Sequence, residues 1–239
     1  LIGHIAYNIS GGVSGLREDI GLEMKARSNP KLRTILNNKD QYPDAMIQSL
    51  YRNEELIDFV YNYPSKKGHV YTNTIGPVTK GRYPLLLQYD QRWGYGNYGY
   101  NVIGMNGCGP TSAAMIIAGL IGRNNITPFD VVSYAYNHGY YQDGTSWAFF
   151  TEGMKHYVIH GRNIPLSYSS MKNEIVNGSP LICSMKPGDF TTTGHLIVIR
   201  GMKQGMFIVN DPNSIKRSNR LWSYDTLSKQ IRNIWSLSR

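Results

Sequence analysis

The sequence has 239 residues, 41% of them hydrophobic, and a formal charge of +9 from 25 basic and 16 acidic side chains. This composition is that of a globular chain with a real core, one large domain or a domain with an extension, and it excludes a disordered polymer. No run approaches the roughly 18 consecutive apolar residues of a membrane span, and the basic residues are scattered without a nucleic-acid motif, so an integral membrane segment and a nucleic-acid partner are not expected.

The charge still favours anionic surfaces, a cell wall among them. Tyrosine is frequent, 18 against 6 phenylalanines, and its wet phenol tip suits clefts and broad surfaces. Beginning at Leu1 and not at methionine, the sequence is expected to have lost residues ahead of it, a targeting segment included.

Residues 1–28 carry several glycines and no sustained periodicity, so they read as an arm. From Asn29-Pro30 the pattern turns helical. Pro43 and Asp44 open a helix whose apolar positions are Met46, Ile47 and Leu50. Asn53 then caps another, with Glu54 and Glu55 in the first turn, an apolar stripe of Leu56, Ile57, Phe59 and Val60, and Pro64 as its stop. Residues 65–81 read as a connector, which divides the chain into an arm with a helical extension, 1–80, and a second domain, 81–239.

The second domain starts with Pro84-Leu85-Leu86-Leu87-Gln88, followed by a tyrosine- and glycine-rich loop from Trp93 to Gly104. A helix is expected after Cys108 and another over Pro128 to Asn137. Pro180 to Met185 reads as a strand. His195 to Ile199 and Met206 to Val209 are apolar runs separated by Gly201 and Gly205, the spacing of a hairpin. A helix followed by an antiparallel sheet is an α+β layout.

Cys108 carries the most chemistry. It lies in Asn106-Gly107-Cys108-Gly109-Pro110-Thr111-Ser112, just ahead of an apolar run. Proline is favoured in a first helical turn, where its missing N–H has no intrahelical partner. A thiol at that end feels the positive pole of the macrodipole, which favours thiolate. Gly107 and Gly109 are expected to leave room for a substrate backbone.

His195 opens one strand of the hairpin and Asp211 follows the other, so both fall at the same sheet edge. Thiol, imidazole and carboxylate then have the roles of a nucleophile, its base and the base's orienter. An oxyanion also needs donors. Gln88, fixed at the end of an apolar run, is preferred over Gln91, with the backbone N–H at Cys108 as the second donor.

The stretch from Tyr83 onward resembles the secreted cysteine peptidase-like proteins related to double-glycine leader peptidases, within the papain-like superfamily. The resemblance rests on Pro84 to Gly94, Gly107 to Ser112, Gly188 to His195 and Val209 to Ser214. The helical region Tyr42 to Pro64 is similar to the extension such proteins carry in Gram-positive bacteria. The resemblance implies a papain-like fold with the nucleophile helix packed on an antiparallel sheet. It also implies Cys108 as nucleophile, His195 as base, Asp211 as orienter and Gln88 in the oxyanion hole.

Expected substrate contacts are Trp93, Gly107, Trp147 and Gly194, although core packing is the competing role for the aromatic pair. Cys183, mid-strand, is expected in the core. The histidines His4, His69, His138, His156 and His160 lack metal-ligand spacing, so neither a metal nor an organic cofactor is expected. The expected activity is hydrolysis of a peptide or protein substrate, cell-wall peptide among the options, secreted or at the surface of a Gram-positive-type bacterium. An acyltransferase using the same thiol and an inactive binding module are the alternatives.

Overall fold

The computed structural model describes residues 19–239; residues 1–18 of the expected arm lie outside the described residues. The chain forms two compact units, one ending at Lys66 and one from Lys67 to Arg239.

In the first unit residues 19–26 are helical, in place of the expected arm. Leu22 and Ala26, one helical turn apart, are both buried, so packing holds a turn that its sequence pattern does not announce. Helix α1 (Pro30–Asn37) starts as its sequence suggests: the Asn29 side chain accepts from the Leu32 N–H and Pro30 occupies the first turn. Helices α2 (Asp44–Leu50) and α3 (Ile57–Lys66) come next. Leu32, Ile35, Met46, Leu50, Phe59 and Val60 make the core of this unit. Pro64 does not stop α3, which runs on to Lys66. Lying in the last turn, the proline forfeits only one intrahelical bond before the helix ends.

In the second unit the connector is hydrogen-bonded to the glycine- and tyrosine-rich loop and to the turn near Asn124. Gly68 donates to Tyr95 O at 2.8 Å, Tyr71 to Arg92 O at 2.8 Å and Ile75 to Asn124 O at 2.9 Å. The division therefore falls at residues 66/67, ahead of the boundary read at 80/81. The same loop contains a small hairpin, β1 (Asn97–Tyr98) and β2 (Asn101–Val102). Helix α4 (Cys108–Ile121) is buried along nearly its whole length. Helix α5 (Pro128–Asn137) begins with a capping box between Thr127 and Asp130.

The main sheet contains β3 (His160–Asn163), β4 (Leu181–Met185), β5 (His195–Lys203), β6 (Met206–Asn210), β7 (Leu221–Trp222) and β8 (Ile231–Ser238). Its order is β3-β8-β4-β5-β6-β7 and every pairing is antiparallel. The expected hairpin is β5–β6, closed at Gln204 and Gly205, both with positive φ.

Side chains alternate between two cores. Ile182, Leu196, Val198 and Trp235 face the core that contains α4. Cys183, Met185, Ile197, Ile199 and Ile234 face a second one, under helix α6 (Tyr168–Val176) and Leu227. β4 is buried on both faces, which is why its sequence shows no polar–apolar alternation, with Ser184 its one polar residue. The α+β layout is thus the one observed. Among the described residues no helix is long and apolar enough to cross a membrane.

Candidate active site

Three segments converge at one end of the sheet. The first is the start of α4, where Cys108 is the first helical residue and Gly107 precedes it as cap. The thiol is half-buried and lies close enough to the His195 imidazole to help raise its pKa. The second is the entry to β5, which places His195 with only 8% of its side chain exposed. The third is the turn after β6, which places Asp211 with its carboxylate fully buried.

His195 Nε2 lies 2.7 Å from Asp211 Oδ1, leaving Nδ1 as the nitrogen for the sulfur. Burial by itself would lower the imidazole pKa. The Asp211 carboxylate and then Cys108 outweigh it and raise the value from 6.5 to about 10. On the carboxylate, burial pushes the pKa up, but the cationic partners His195 and Arg217 hold it below the ordinary range. The imidazole thus stands between a thiol and a carboxylate that its cationic partners keep ionised.

Asp211 is held from more sides than its partner imidazole. Arg217 Nε donates to Oδ2 at 2.6 Å, the Asn213 N–H donates to Oδ1 at 2.8 Å, and the Asp211 N–H donates to Ser218 Oγ at 2.8 Å. Arg217 and Ser218 lie on the short helix α7 (Ile215–Ser218), started by Ser214, whose hydroxyl accepts from the Arg217 N–H. Sequence reasoning missed Arg217. Its one local signal is that serine cap, which says that a turn begins there and nothing about a carboxylate six residues back.

The segment carrying Gln88 runs along the same corner. Asn210 Nδ2 donates to the carbonyls of Tyr83 and Pro84 at 3.2 Å each, and the Gln88 N–H donates to Pro212 O at 2.7 Å. The Gln88 side chain is 3% exposed. One Nε2 hydrogen goes to Gly104 O at 3.1 Å, which fixes the amide and leaves its second N–H to be offered. The loop that delivers His195 is pinned by Gln230: its Oε1 accepts from the Asp189 N–H at 2.8 Å, and its Nε2 donates to Asp189 Oδ2 at 2.6 Å. Phe190, in the same loop, packs against Trp222 of β7 with ring centroids 4.4 Å apart.

The expected substrate contacts fare unevenly. Trp93 is fully buried and its indole N–H donates to Leu87 O at 2.9 Å, so it packs the core and lines no cleft. Gly107 and Gly109 do not face open space either. A Cβ on Gly107 would meet Ile103 at 2.5 Å, and one on Gly109 would meet Thr145 Oγ1 at 2.5 Å. These glycines are required by close packing of the chain on itself.

Gly194, by contrast, is exposed, and a Cβ added to it would meet nothing. Trp147 is 45% exposed and stands edge-on to the buried Trp235. Thr145 also bonds the Tyr98 hydroxyl at 2.8 Å. Burial, chiefly, raises the Tyr98 phenol to about 12, with the nearby Cys108 adding to it. Tyr98 and Thr145 thus form a wall beside the thiol. Cys183 is fully buried, and that burial raises its thiol pKa far above the ordinary range; both cysteines are free. Among the described residues no cluster of His, Cys, Asp and Glu is grouped to hold a metal ion.

Residues 80–239 match the Peptidase_C39 like family. No curated protein matches the chain. Among solved structures, the chain is similar to the peptidase domain of Streptococcus ComA, a bi-functional ABC transporter involved in a quorum sensing pathway. The identity is 19%, covering 66% of this chain and 98% of that one, with a TM-score of 0.45.

Proposed function

Since the chain belongs to the Peptidase_C39 like family and is a cysteine peptidase, we propose that Cys108, His195 and Asp211 are its catalytic triad. Cys108 attacks the carbonyl carbon of a peptide bond while its proton passes to His195. The tetrahedral oxyanion is met by the second N–H of Gln88 Nε2 and by the backbone N–H at the start of α4, where the first helical amides lack intrahelical partners. His195 then returns the proton to the departing amine, leaving a thioester on Cys108. Water, deprotonated by the same imidazole, hydrolyses the thioester and restores the thiol. Asp211 keeps Nδ1 turned to the sulfur and stabilises the imidazolium throughout.

One observation carries this reading: a single buried imidazole is shared between the half-exposed thiol and a fully buried carboxylate. Cell-surface or secreted action on cell-wall peptide of a Gram-positive-type bacterium belongs to the same proposal, supported by the +9 charge. The test is digestion of a proteome-derived peptide library by the wild type and by Cys108→Ala. Cleavages present with the first and absent with the second are expected; an undiminished Cys108→Ala variant would refute the nucleophile. Muropeptides as substrates, with and without added glycine as acceptor, test the substrate class and separate hydrolysis from acyl transfer.

A further inference from the structure

Four ionisable groups stand in one row at the end of the sheet: the Cys108 thiol, the His195 imidazole, the Asp211 carboxylate and the Arg217 guanidinium. With the proton on His195 their charges alternate −, +, −, + and sum to zero. The middle of the row is closed to water, with Asp211 fully buried and His195 8% exposed, while the Cys108 and Arg217 ends are partly exposed. Three of these groups are assigned above. Without the fourth, the competent state would hold an uncompensated negative charge in a poorly solvated site, and the row would take up a proton to remove it.

We infer that Arg217 is a positioning residue that supplies the counter-charge of this row and so sets the pH window in which the thiolate–imidazolium pair exists. The inference rests on the triad reading above. Arg217 Nε approaches Asp211 Oδ2, the oxygen His195 does not use, at 2.6 Å, so the guanidinium and the imidazole each hold their own carboxylate oxygen. The other charged groups at this corner are engaged elsewhere. Arg200 donates to Asn210 Oδ1, Asp189 is tied to Gln230, and Lys216 is exposed on the solvent side of α7. From β1, Tyr98 faces the thiol, its phenol neutral at working pH because burial raises it to about 12.

Two roles for Arg217 predict opposite signs. If it acts as counter-charge, its removal makes every group in the row hold its proton more tightly, so both the acid and the alkaline limb move to higher pH. If it only steadies Asp211, its removal loosens the bond to His195, the imidazolium loses support, and the alkaline limb moves down.

The experiment reads two pH profiles in wild type, Arg217→Gln and Arg217→Lys. One is the rate of Cys108 alkylation by iodoacetamide, whose acid limb reports formation of the ion pair. The other is kcat/KM for peptide hydrolysis, whose alkaline limb reports loss of the imidazolium. Cys183 is buried and serves as an internal unreactive thiol. Arg217→Gln is expected to raise both limbs by about one pH unit, the lower end of the effect of a neighbouring charge. Arg217→Lys, which keeps the charge, is expected to return them to the wild-type positions. An alkaline limb of Arg217→Gln that stays or falls overturns the inference.

If the wild type itself shows no alkylation below the ordinary thiol range, the triad reading fails instead, and the two failures are distinguishable. Should Arg217→Gln not fold, Asp211→Asn and Asp211→Asn/Arg217→Gln carry the same comparison with no buried carboxylate left unpaired. The limbs of the double variant must then lie above those of Asp211→Asn, and coincidence of the two profiles overturns the inference.

Discussion

Replacing Asp211 by asparagine keeps the shape of the side chain and removes its charge, which makes it a direct probe of the row. It also puts an amide NH2 where Oδ2 accepts from Arg217 Nε. The amide keeps the shape, and its oxygen still accepts from His195 Nε2 across the 2.7 Å contact. What the imidazolium loses is its attraction to the carboxylate. Two unit charges about 4 Å apart in surroundings with an effective dielectric near 20 attract by about 4 kcal/mol, equivalent to about 3 pKa units. His195 owes its elevation to about 10 first to Asp211 and then to Cys108. Loss of the carboxylate therefore lowers the imidazole value by about 2–3 units and leaves it near neutrality.

Two readouts report the loss. The alkaline limb of kcat/KM for peptide hydrolysis should drop by that amount, because the imidazolium that protonates the leaving amine is lost earlier as pH rises. Peptide hydrolysis at pH 8 should fall about 10³-fold, from about 4 kcal/mol of lost stabilisation at 1.4 kcal/mol per decade. Arg217 would also lose its ion partner. Breaking a buried pair costs about 3–5 kcal/mol, and the partial exposure of Arg217 places the variant at the low end of that range, visible as a lower thermal midpoint. An Asp211→Asn variant whose alkaline limb coincided with that of the wild type would refute the electrostatic reasoning, whatever happened to its turnover.

Gln88→Ala removes the amide anchored on the Gly104 carbonyl; kcat should fall about 10²–10³-fold, the cost of one oxyanion donor, and an unchanged kcat would assign the amide to structure alone. Gly109→Ala forces a Cβ to within 2.5 Å of Thr145 Oγ1. The overpacking should cost about 1–3 kcal/mol in urea unfolding, and Thr145→Gly in the same chain should recover most of it; failure of the double variant to recover would locate the strain elsewhere.

Stability should also vary with pH in a set direction. His195 has a folded pKa above its unfolded value of 6.5, so its contribution is complete below 6.5 and is lost as pH rises through about 10. Asp211, depressed in the fold, contributes above the ordinary carboxylate value and loses that contribution as pH falls through its lowered one. Urea midpoints measured across both windows check the two signs.

Much of the molecule is specified locally. The start of α1 at Pro30, the capping box that opens α5, the hairpin turn at Gln204-Gly205 and the cysteine at the head of α4 all depend on residues within one turn of each other, where sequence and conformation are tightly linked. The pairing of His195 with Asp211 was legible for the same reason, since a hairpin brings the start of one strand beside the end of the next.

The interior strand β8 was not legible, because its place between β3 and β4 is decided by partners some 50 to 80 residues away and its own pattern alternates weakly. Trp93 gave no sign of whether it faced water or core, since an indole suits both. Gly107 and Gly109 announced that space was needed but not that Ile103 and Thr145 would fill it. Arg217 was invisible for the plainest physical reason. A charged side chain is compatible with any surface turn, and only the folding of α7 back over the end of β6 turns it into the partner of a buried carboxylate.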